Sequence, residues 1–256
     1  MIPKIIHYCW LSKDPIPKDM QMYEKLPDYE FMLWDFNRFD IHSSQWVKEA
    51  FSKKKYAFAA DYIRLYALYN YGGIYMDMDV EVLKSFDPFL KLKTMICFEN
   101  SKQGLEMATF GVEKGAAWVK ECLKYYENRS FIKADGMLDT ITLPFIIQQI
   151  CLKDSYRLEP VYSIEEALQK ETGNALAILS SDYFSPKTTF RDEKIVLTSN
   201  TVSIHHFKGT WLPWYSKIEK RVSNILGFES KDFIRAAIYK IQLEVAKRKI
   251  PQIRNL

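Results

Sequence analysis

Two aspartates, Asp77 and Asp79, alternate with apolar residues in the stretch Gly-Gly-Ile-Tyr-Met-Asp-Met-Asp-Val at residues 72–80. This period-two pattern predicts a strand that runs through Val80 and carries both carboxylates and Tyr75 on one face, roughly 7 Å apart along the pleat. Like charges at that spacing repel, and each would be costly to bury alone. A divalent cation relieves both problems, and oxygen ligands suit Mn²⁺ or Mg²⁺, which commonly share their shell with substrate phosphates.

The same tripeptide has a simpler interpretation, a pair of solvated acids that keeps a sheet edge from aggregating. The sequence before it favours a functional site. Residues 56–69 show apolar positions at helical spacing, and Gly72 is a suitable residue to end that helix. Asp61 and Arg64 lie three residues apart and therefore share a helix face. The predicted order is thus a helix, a glycine turn and a strand that ends in carboxylates.

The pattern Ala60-Asp61-x-x-Arg64, followed by Gly72-Gly73-Ile74-Tyr75-x-Asp77-x-Asp79, resembles the sugar-binding and D-x-D segment of glycosyltransferase family 32. That family includes bacterial capsular-polysaccharide transferases, yeast-type mannosyltransferases and the glucosyltransferase domain of the large clostridial toxins. Weaker resemblance extends from Ile2 to Trp214. It implies an α/β fold: a GT-A-type, Rossmann-like nucleotide-sugar-binding domain with a mixed sheet.

The resemblance also implies roles for individual residues. Asp61 and Arg64 would hold hydroxyl groups of the donor sugar, and Tyr75 would contact the ribose or the donor sugar. Asp77 and Asp79 would act in catalysis by holding the metal. Members of the family transfer the sugar with retention of anomeric configuration.

Trp10 ends a short segment, residues 4–10, whose β-forming residues predict a buried first strand. In open α/β sheets, ligands bind outside the carboxyl ends of the strands, so an indole at this position can stack on a flat group. A tryptophan packed in the core is the alternative. In the family, the matching tryptophan stacks on the nucleotide base, which makes Trp10 a candidate base contact.

A second candidate segment is His-His-Phe-Lys-Gly-Thr-Trp at residues 205–211. It resembles the closing segment of family members in which the second histidine binds the metal, so the resemblance implies His206 as a ligand. Consecutive strand residues point to opposite faces, and His205 is therefore expected to face away. Lys208 would neutralise the diphosphate, and Trp211 would close over the donor.

Asp139 lies in a polar loop that enters a predicted helix at residues 142–152. Related enzymes place acceptor-side or catalytic groups in this region, so Asp139 is a further candidate. The simpler interpretation is that Asp139 caps the helix.

The composition is typical of a globular protein, since 48% of the residues are hydrophobic. The net charge is only +4, and the sequence contains no recognisable nucleic-acid-binding motif. The four cysteines form no C-x-x-C pair, which favours reduced thiols over a zinc or disulfide framework. The sequence shows neither a signal-peptide pattern nor an apolar run long enough to span a membrane. We expect a cytoplasmic enzyme, peripheral at the inner face of the membrane.

Two regions are predicted, a glycosyltransferase domain at 1–215 and a C-terminal extension of basic amphipathic helices at 216–256. Residues 217–256 contain ten basic and four acidic residues, which gives this segment a charge of +6 and the rest of the chain −2. A basic amphipathic helix suits an anionic membrane surface, where lipid-linked acceptors lie. Packing on the domain with a solvated basic face is the equal alternative.

The sequence therefore predicts a metal-dependent transferase that moves a hexose from a nucleotide-sugar, with a UDP-sugar favoured, to a saccharide or lipid-linked saccharide acceptor. Synthesis of a capsule or another cell-surface polysaccharide is the expected context. The alternatives are a metal-dependent phosphohydrolase, which would need more acids or histidines, and a sugar-binding module without catalysis, which would not need a metal site.

Overall fold

The computed structural model describes residues 1–12, 15–16, 25–99, 104–153, 156–186 and 195–207. All of them belong to the first of two units into which the chain divides, Met1–Lys208. The predicted boundary at residue 215 and the predicted C-terminal helices lie outside the described residues and stay predictions.

The described residues contain eleven strands and five α-helices. The strands are β1 (Ile5–Cys9), β2 (Glu30–Trp34), β3 (Gly73–Met76), β4 (Val80–Val82), β5 (Thr94–Met95), β6 (Phe98–Glu99), β7 (Gly104–Leu105), β8 (Thr109–Val112), β9 (Arg157–Val161), β10 (Ala175–Leu179) and β11 (Ser203–His205). The helices are α1 (Gln45–Ser52), α2 (Tyr56–Tyr71), α3 (Ala117–Tyr126), α4 (Leu143–Lys153) and α5 (Ile164–Lys170).

The central sheet has five strands in the order β2-β1-β3-β8-β5. Strand β1 is parallel to both neighbours, β2 and β3, whereas β8 runs antiparallel to β3 and to β5. Parallel neighbours need long crossover connections, and helices α1 and α2 fill the one between β2 and β3. The predicted α/β class with a mixed sheet is confirmed.

Apolar residues pack on both faces of this sheet. In β3, Ile74 and Met76 belong to one buried cluster, and Tyr75 belongs to the other, which also contains the buried face of α2. The period-two pattern of the sequence therefore holds within β3. It explains why Tyr75 points toward the helix and toward the polar groups that the helix carries.

Helix α2 ends at a glycine turn that brings its last residues close to β1. Gly72 caps the helix with a φ of 68°, and Gly73 has a φ of 103°, a region that residues with a side chain rarely adopt. A Cβ atom on Gly73 would lie 2.6 Å from the carbonyl oxygen of Ile5. The paired glycines are thus required by the close approach of two backbones.

His7, in the middle of β1, ties this turn to the neighbouring strand. Its Nε2 lies 2.7 Å from the carbonyl oxygen of Gly72, and its Nδ1 accepts a hydrogen bond of 3.0 Å from the indole N–H of Trp34. The imidazole is fully buried. Since Nδ1 is an acceptor here, the ring is neutral with its proton on Nε2, which donates to Gly72.

The structure corrects the predicted D-x-D strand, which ends at Met76 and does not continue through Val80. Asp77 and Asp79 lie in a turn between β3 and the short strand β4. The turn is closed by a hydrogen bond of 3.1 Å from the Val80 amide to the Asp77 carbonyl. Strand β4 then leaves the central sheet and pairs antiparallel with β11.

The four cysteines are free thiols, three of them buried, as the sequence predicts. Helices long and apolar enough to cross a membrane are not found among the described residues.

The buried His7 should make the fold sensitive to mild acid. Burial lowers the pKa of His7 to about 4, against a weaker opposing effect of its hydrogen bond to Gly72. Between pH 6.5 and 4 the unfolded chain binds a proton that the folded chain does not. The free energy of unfolding should therefore fall as the pH falls through this window, by ~3 kcal/mol in total.

Urea unfolding of the wild type and of His7→Gln at pH 7.5 and 4.5 would measure this effect. The variant is expected to lose less stability between the two pH values, whereas the exposed His42→Gln should behave like the wild type. Equal pH dependence in His7→Gln and the wild type would contradict a neutral buried imidazole.

Candidate metal centre

The site lies where the central parallel strands end. Strand β1 ends at Cys9 and β3 at Met76, so Trp10 and Asp77 follow the carboxyl ends of neighbouring parallel strands. Trp10 is half-buried, and its amide donates a 3.1 Å hydrogen bond to the carbonyl of Trp34. Ligands of open α/β sheets bind at this edge, and the structure brings the predicted base contact and the predicted acids there together.

Backbone hydrogen bonds from two distant segments hold the acidic turn. The Asp77 amide donates to the carbonyl of Ala108 at 2.8 Å, and the carbonyl of Asp79 accepts from the amide of His206 at 3.1 Å. The turn is therefore fixed by the residues that lead into β8 on one side and by the end of β11 on the other.

Asp77, Asp79 and His205 form a cluster whose ligand atoms lie within 4.8 Å of one another. The Nε2 of His205 is 3.6 Å from Oδ1 of Asp79. Two carboxylate oxygens and one imidazole nitrogen are a donor set that Mn²⁺ and Mg²⁺ accept, with the remaining positions left for water or phosphate oxygens. The chemistry of the donors thus fits the predicted metal.

The histidine of this cluster is His205, and this corrects the expectation for His206. That expectation came from the family resemblance, and His205 was expected to face away because consecutive strand residues point to opposite faces. Asp79 instead lies on the face of β11 that carries His205. His206 lies on the other face, where its Nε2 is 2.8 Å from Oε2 of Glu81.

Glu106 holds the second nitrogen of His205. The carboxylate is 2% exposed, and its Oε2 lies 3.1 Å from Nδ1 of His205. Burial alone would lower the pKa of His205, but Glu106, and more weakly Asp79 and Asp77, raise it to about 9. In the absence of metal, the imidazole therefore carries a proton that offsets the surrounding carboxylates.

Arg64 links helix α2 to the acidic turn. Its guanidinium is 3.2 Å from Oδ1 of Asp61 and 3.5 Å from Oδ1 of Asp77, and it donates a 2.8 Å hydrogen bond to the carbonyl of Met107. It also lies over the ring of Tyr75, 4.4 Å from the centroid. The predicted pairing of Asp61 and Arg64 on one helix face is observed, and the pair faces the turn.

These contacts change the expected role of Tyr75. Its side chain is 1% exposed, and its hydroxyl donates a 2.8 Å hydrogen bond to Oδ1 of Asp77. Tyr75 thus orients the first aspartate instead of presenting a surface to the ribose or the sugar. Burial raises the pKa of Asp61 to about 6, against the opposing charge of Arg64, and also raises that of Asp77.

Asp139 is placed differently from its prediction. It is 2% exposed, and its Oδ2 accepts two hydrogen bonds from Arg129, at 2.6 and 3.0 Å. Lys133 lies 3.8 Å from its other oxygen. These partners all belong to the loop before α4, so the structure does not bring Asp139 into the cluster of Asp77, Asp79 and His205. Lys208 and Trp211 lie outside the described residues.

Sequence reasoning missed two residues of this site. His205 carried a signal, since the His-His pair ends a predicted strand, but the expectation named His206. Glu106 carried none, because it is 99 residues away from its partner in the chain. The contact between Glu106, in the segment before β8, and His205, in β11, exists only in the folded protein.

Comparison with known proteins places this site in a recognised sequence region. Residues 15–96 match the family described as the glycosyltransferase sugar-binding region containing the DXD motif. The match includes α2, the glycine turn and the two aspartates. The resemblance noted in the sequence is thereby confirmed, and the chain carries a glycosyltransferase DXD region.

Several curated relatives are mannosyltransferases. The chain is 30% identical over 132 residues to inositol phosphoceramide mannosyltransferase 3 of Schizosaccharomyces pombe, which covers 48% of this chain and 36% of that protein. It is 31% identical over 144 residues to mannosyl phosphorylinositol ceramide synthase CSH1 of Saccharomyces cerevisiae, covering 52% and 38%. The matched part is thus little more than a third of these relatives.

Among solved structures, the PaToxG glycosyltransferase aligns with 60% of this chain and 70% of its own, with 20% sequence identity and a TM-score of 0.42.

Removal of the buried guanidinium should destabilise the fold. In Arg64→Met, Asp61 and Asp77 lose their cationic partner inside the protein, which should reduce the free energy of unfolding by roughly 3 kcal/mol. Arg157→Met removes an arginine whose partner, Glu159, lies at the surface, and is expected to cost less than about 1 kcal/mol. Urea unfolding at pH 7.5 compares the two variants, and equal losses would contradict the central position of Arg64.

Proposed function

We propose that this chain is a metal-dependent glycosyltransferase that moves a hexose from a nucleotide-sugar to an acceptor. The observation that carries the proposal is the cluster of Asp77, Asp79 and His205 at the carboxyl ends of the central strands, within a segment that matches a sugar-binding DXD region. A site for an apolar ligand would not require this group of ionisable side chains, whereas a site for a nucleoside diphosphate and its divalent cation would.

Each residue has a defined part in this proposal. Asp77, Asp79 and His205 would hold Mn²⁺ or Mg²⁺, whose positive charge would stabilise the diphosphate leaving group. Tyr75 and Arg64 hold Asp77 in place through the contacts described above. Trp10 offers its indole to the base at the end of β1. Asp61 pairs with Arg64 in the first half of α2, and in our proposal its carboxylate accepts hydrogen bonds from sugar hydroxyls.

Retention of anomeric configuration is part of the proposal and rests on the family resemblance. Asp139 is engaged with Arg129 and Lys133 and is not proposed as a nucleophile. Front-side displacement, in which the acceptor hydroxyl attacks from the same face as the departing phosphate, is therefore the mechanism that we propose.

Two acceptor classes follow from different observations. The names of the curated relatives favour an inositol phospholipid of the inositol phosphoceramide type. The resemblance to capsular transferases instead favours a cell-surface saccharide. Both are consistent with a peripheral cytoplasmic enzyme whose basic segment at 217–256 lies against an anionic membrane. Assays with soluble oligosaccharides and with phosphoinositol lipids in vesicles would separate them.

The alternatives predict different products. A phosphohydrolase would release phosphate from nucleotides that carry no sugar, and a binding module would leave nucleotide-sugars intact. A panel of UDP-sugars and GDP-sugars, together with UDP and GDP, incubated with the protein in the presence and absence of Mn²⁺, tests all three functions. Release of free sugar, or its transfer to an acceptor, only with metal present supports the proposal.

Loss of one metal ligand should abolish transfer without unfolding the protein. Asp79→Asn keeps the size of the side chain and removes its charge, so Mn²⁺ affinity should fall by roughly a hundredfold or more, beyond the 10–100-fold typical of residues outside the ligand set. Calorimetry with Mn²⁺ and the transfer assay measure the two effects. Glu121→Gln, on the outer surface of α3, serves as the matched control and should leave both unchanged. Full activity of Asp79→Asn, or of the wild type in excess chelator, would overturn the metal requirement.

Trp10 should contribute to nucleotide affinity through stacking. Replacement by alanine should weaken binding of the nucleoside diphosphate by about tenfold to a hundredfold, because stacking of a base on an aromatic ring is worth about 1–3 kcal/mol. Trp10→Phe should recover part of the affinity. Trp34→Phe provides the contrast, since that indole is buried and hydrogen-bonded to His7, and its loss should lower the melting temperature with little change in affinity. Unchanged nucleotide affinity in folded Trp10→Ala would contradict the stacking role.

A further inference from the structure

Both oxygens of the Glu106 carboxylate are used inside the protein. Oε1 accepts a 2.7 Å hydrogen bond from the amide of Ala108, and Oε2 lies 3.1 Å from Nδ1 of His205. The first contact is within its own segment, two residues along the chain, and fixes the side chain on the backbone that leads into β8. The second contact reaches across to β11. Glu106 is thus anchored to its own segment through one oxygen and contacts His205 through the other.

The ring of His205 is held from a second direction by Phe207. The two rings are stacked, with centroids 3.8 Å apart and an angle of 30° between their planes. Phe207 has a φ of 52°, an unfavourable conformation for a bulky residue that persists only where surrounding contacts require it. Rotation of the imidazole is therefore restricted, and the Nδ1 edge faces Glu106 while Nε2 faces Asp79.

A neutral imidazole has one N–H donor and one acceptor nitrogen, and a carboxylate can only accept. We propose that Glu106 is a positioning residue, which places the proton of neutral His205 on Nδ1 so that the lone pair of Nε2 faces the metal between Asp77 and Asp79. This inference rests on the metal site of the proposed function. Metal-binding histidines commonly donate their other N–H to a carboxylate, which fixes the tautomer and the ring orientation.

Glu106→Gln tests the proposal because it keeps the shape of the side chain, removes its charge and replaces one acceptor oxygen by an NH₂ donor. The amide oxygen of the glutamine can accept from Ala108, as Oε1 of the glutamate does. Its NH₂ group then faces Nδ1 of His205, which becomes the acceptor, and the ring proton moves to Nε2. The nitrogen that should bind the metal is then blocked.

The experiment measures Mn²⁺ affinity by calorimetry in four proteins: the wild type, Glu106→Gln, His205→Ala and the double variant. Neither the nucleotide-sugar nor the acceptor substrate is present. Glu106→Gln should weaken binding by about 10–100-fold in the wild-type background. It should add no loss in the His205→Ala background, because a residue that acts through His205 has nothing to position there. A loss of equal size in both backgrounds would show a direct effect of charge on the metal and would overturn the proposal, as would unchanged affinity.

A spectroscopic measurement gives a second readout. In the diamagnetic Mg²⁺-loaded protein, ¹H–¹⁵N correlations of the His205 ring should place the proton on Nδ1 in the wild type and on Nε2 in Glu106→Gln. The same tautomer in both proteins would overturn the proposal. Should Glu106→Gln fail to fold in thermal melts, Glu106→Asp keeps an acceptor-only group on a shorter side chain. It should bind Mn²⁺ more weakly than the wild type with the proton still on Nδ1, and unchanged affinity there would overturn the proposal.

These outcomes separate the positioning role from the proposed function. Mn²⁺ binding that depends on Asp79 but not on Glu106 would remove the role of Glu106 and leave the metal centre in place. Mn²⁺ binding that shows the expected dependence on Glu106, in a protein that transfers no sugar from any donor, would instead overturn the proposed transferase activity.

Discussion

The ion pairs of Arg64 are the interaction on which the rest of the site depends. A buried guanidinium is stable only when its charge is compensated, and here two carboxylates, a backbone carbonyl and an aromatic face all surround it. The partners come from three parts of the chain: α2, the turn after β3 and the segment before β8. Because a displaced partner would leave a charge unpaired inside the protein, these three parts are held in one arrangement.

A second constraint acts on the backbone, where α2 meets the first strand. The glycines of the turn allow an approach that a Cβ atom would prevent, and His7 then joins the carbonyl of Gly72 to the indole of Trp34. Helix α2 is thus fixed at its carboxyl end by a neutral imidazole, while Arg64, two turns earlier, fixes its inner face to the acidic turn. The helix and β3 therefore leave the turn in one relative orientation, and that orientation sets the position of Asp77.

Elements with strong local signals could be predicted from the sequence, and elements fixed by distant contacts could not. The apolar spacing and the terminal glycine gave helix α2 nearly to its ends, and the β-rich segment gave β1. The end of β3 at Met76 had no such signal, since alternation in the sequence continues to Val80. Strand β3 ends there because the chain turns back on itself, with the Val80 amide bonded to the Asp77 carbonyl, and the following strand pairs with β11.

The choice between two adjacent histidines also depends on a contact that the sequence does not show. The family resemblance implied His206, with His205 expected to face away on the strand. The three-residue turn between β3 and β4 brings Asp79 beside His205 of β11, with Glu106 on the other side of the imidazole. The charges support this arrangement. Three carboxylates, Asp77, Asp79 and Glu106, meet at one imidazole, whose raised pKa supplies a positive charge in the metal-free protein. A divalent cation in the same place would supply that charge instead. The three carboxylates therefore require a positive charge beside them, carried either by a protonated imidazole or by a metal ion. His206, whose nearest carboxylate is the half-exposed Glu81, faces no comparable requirement.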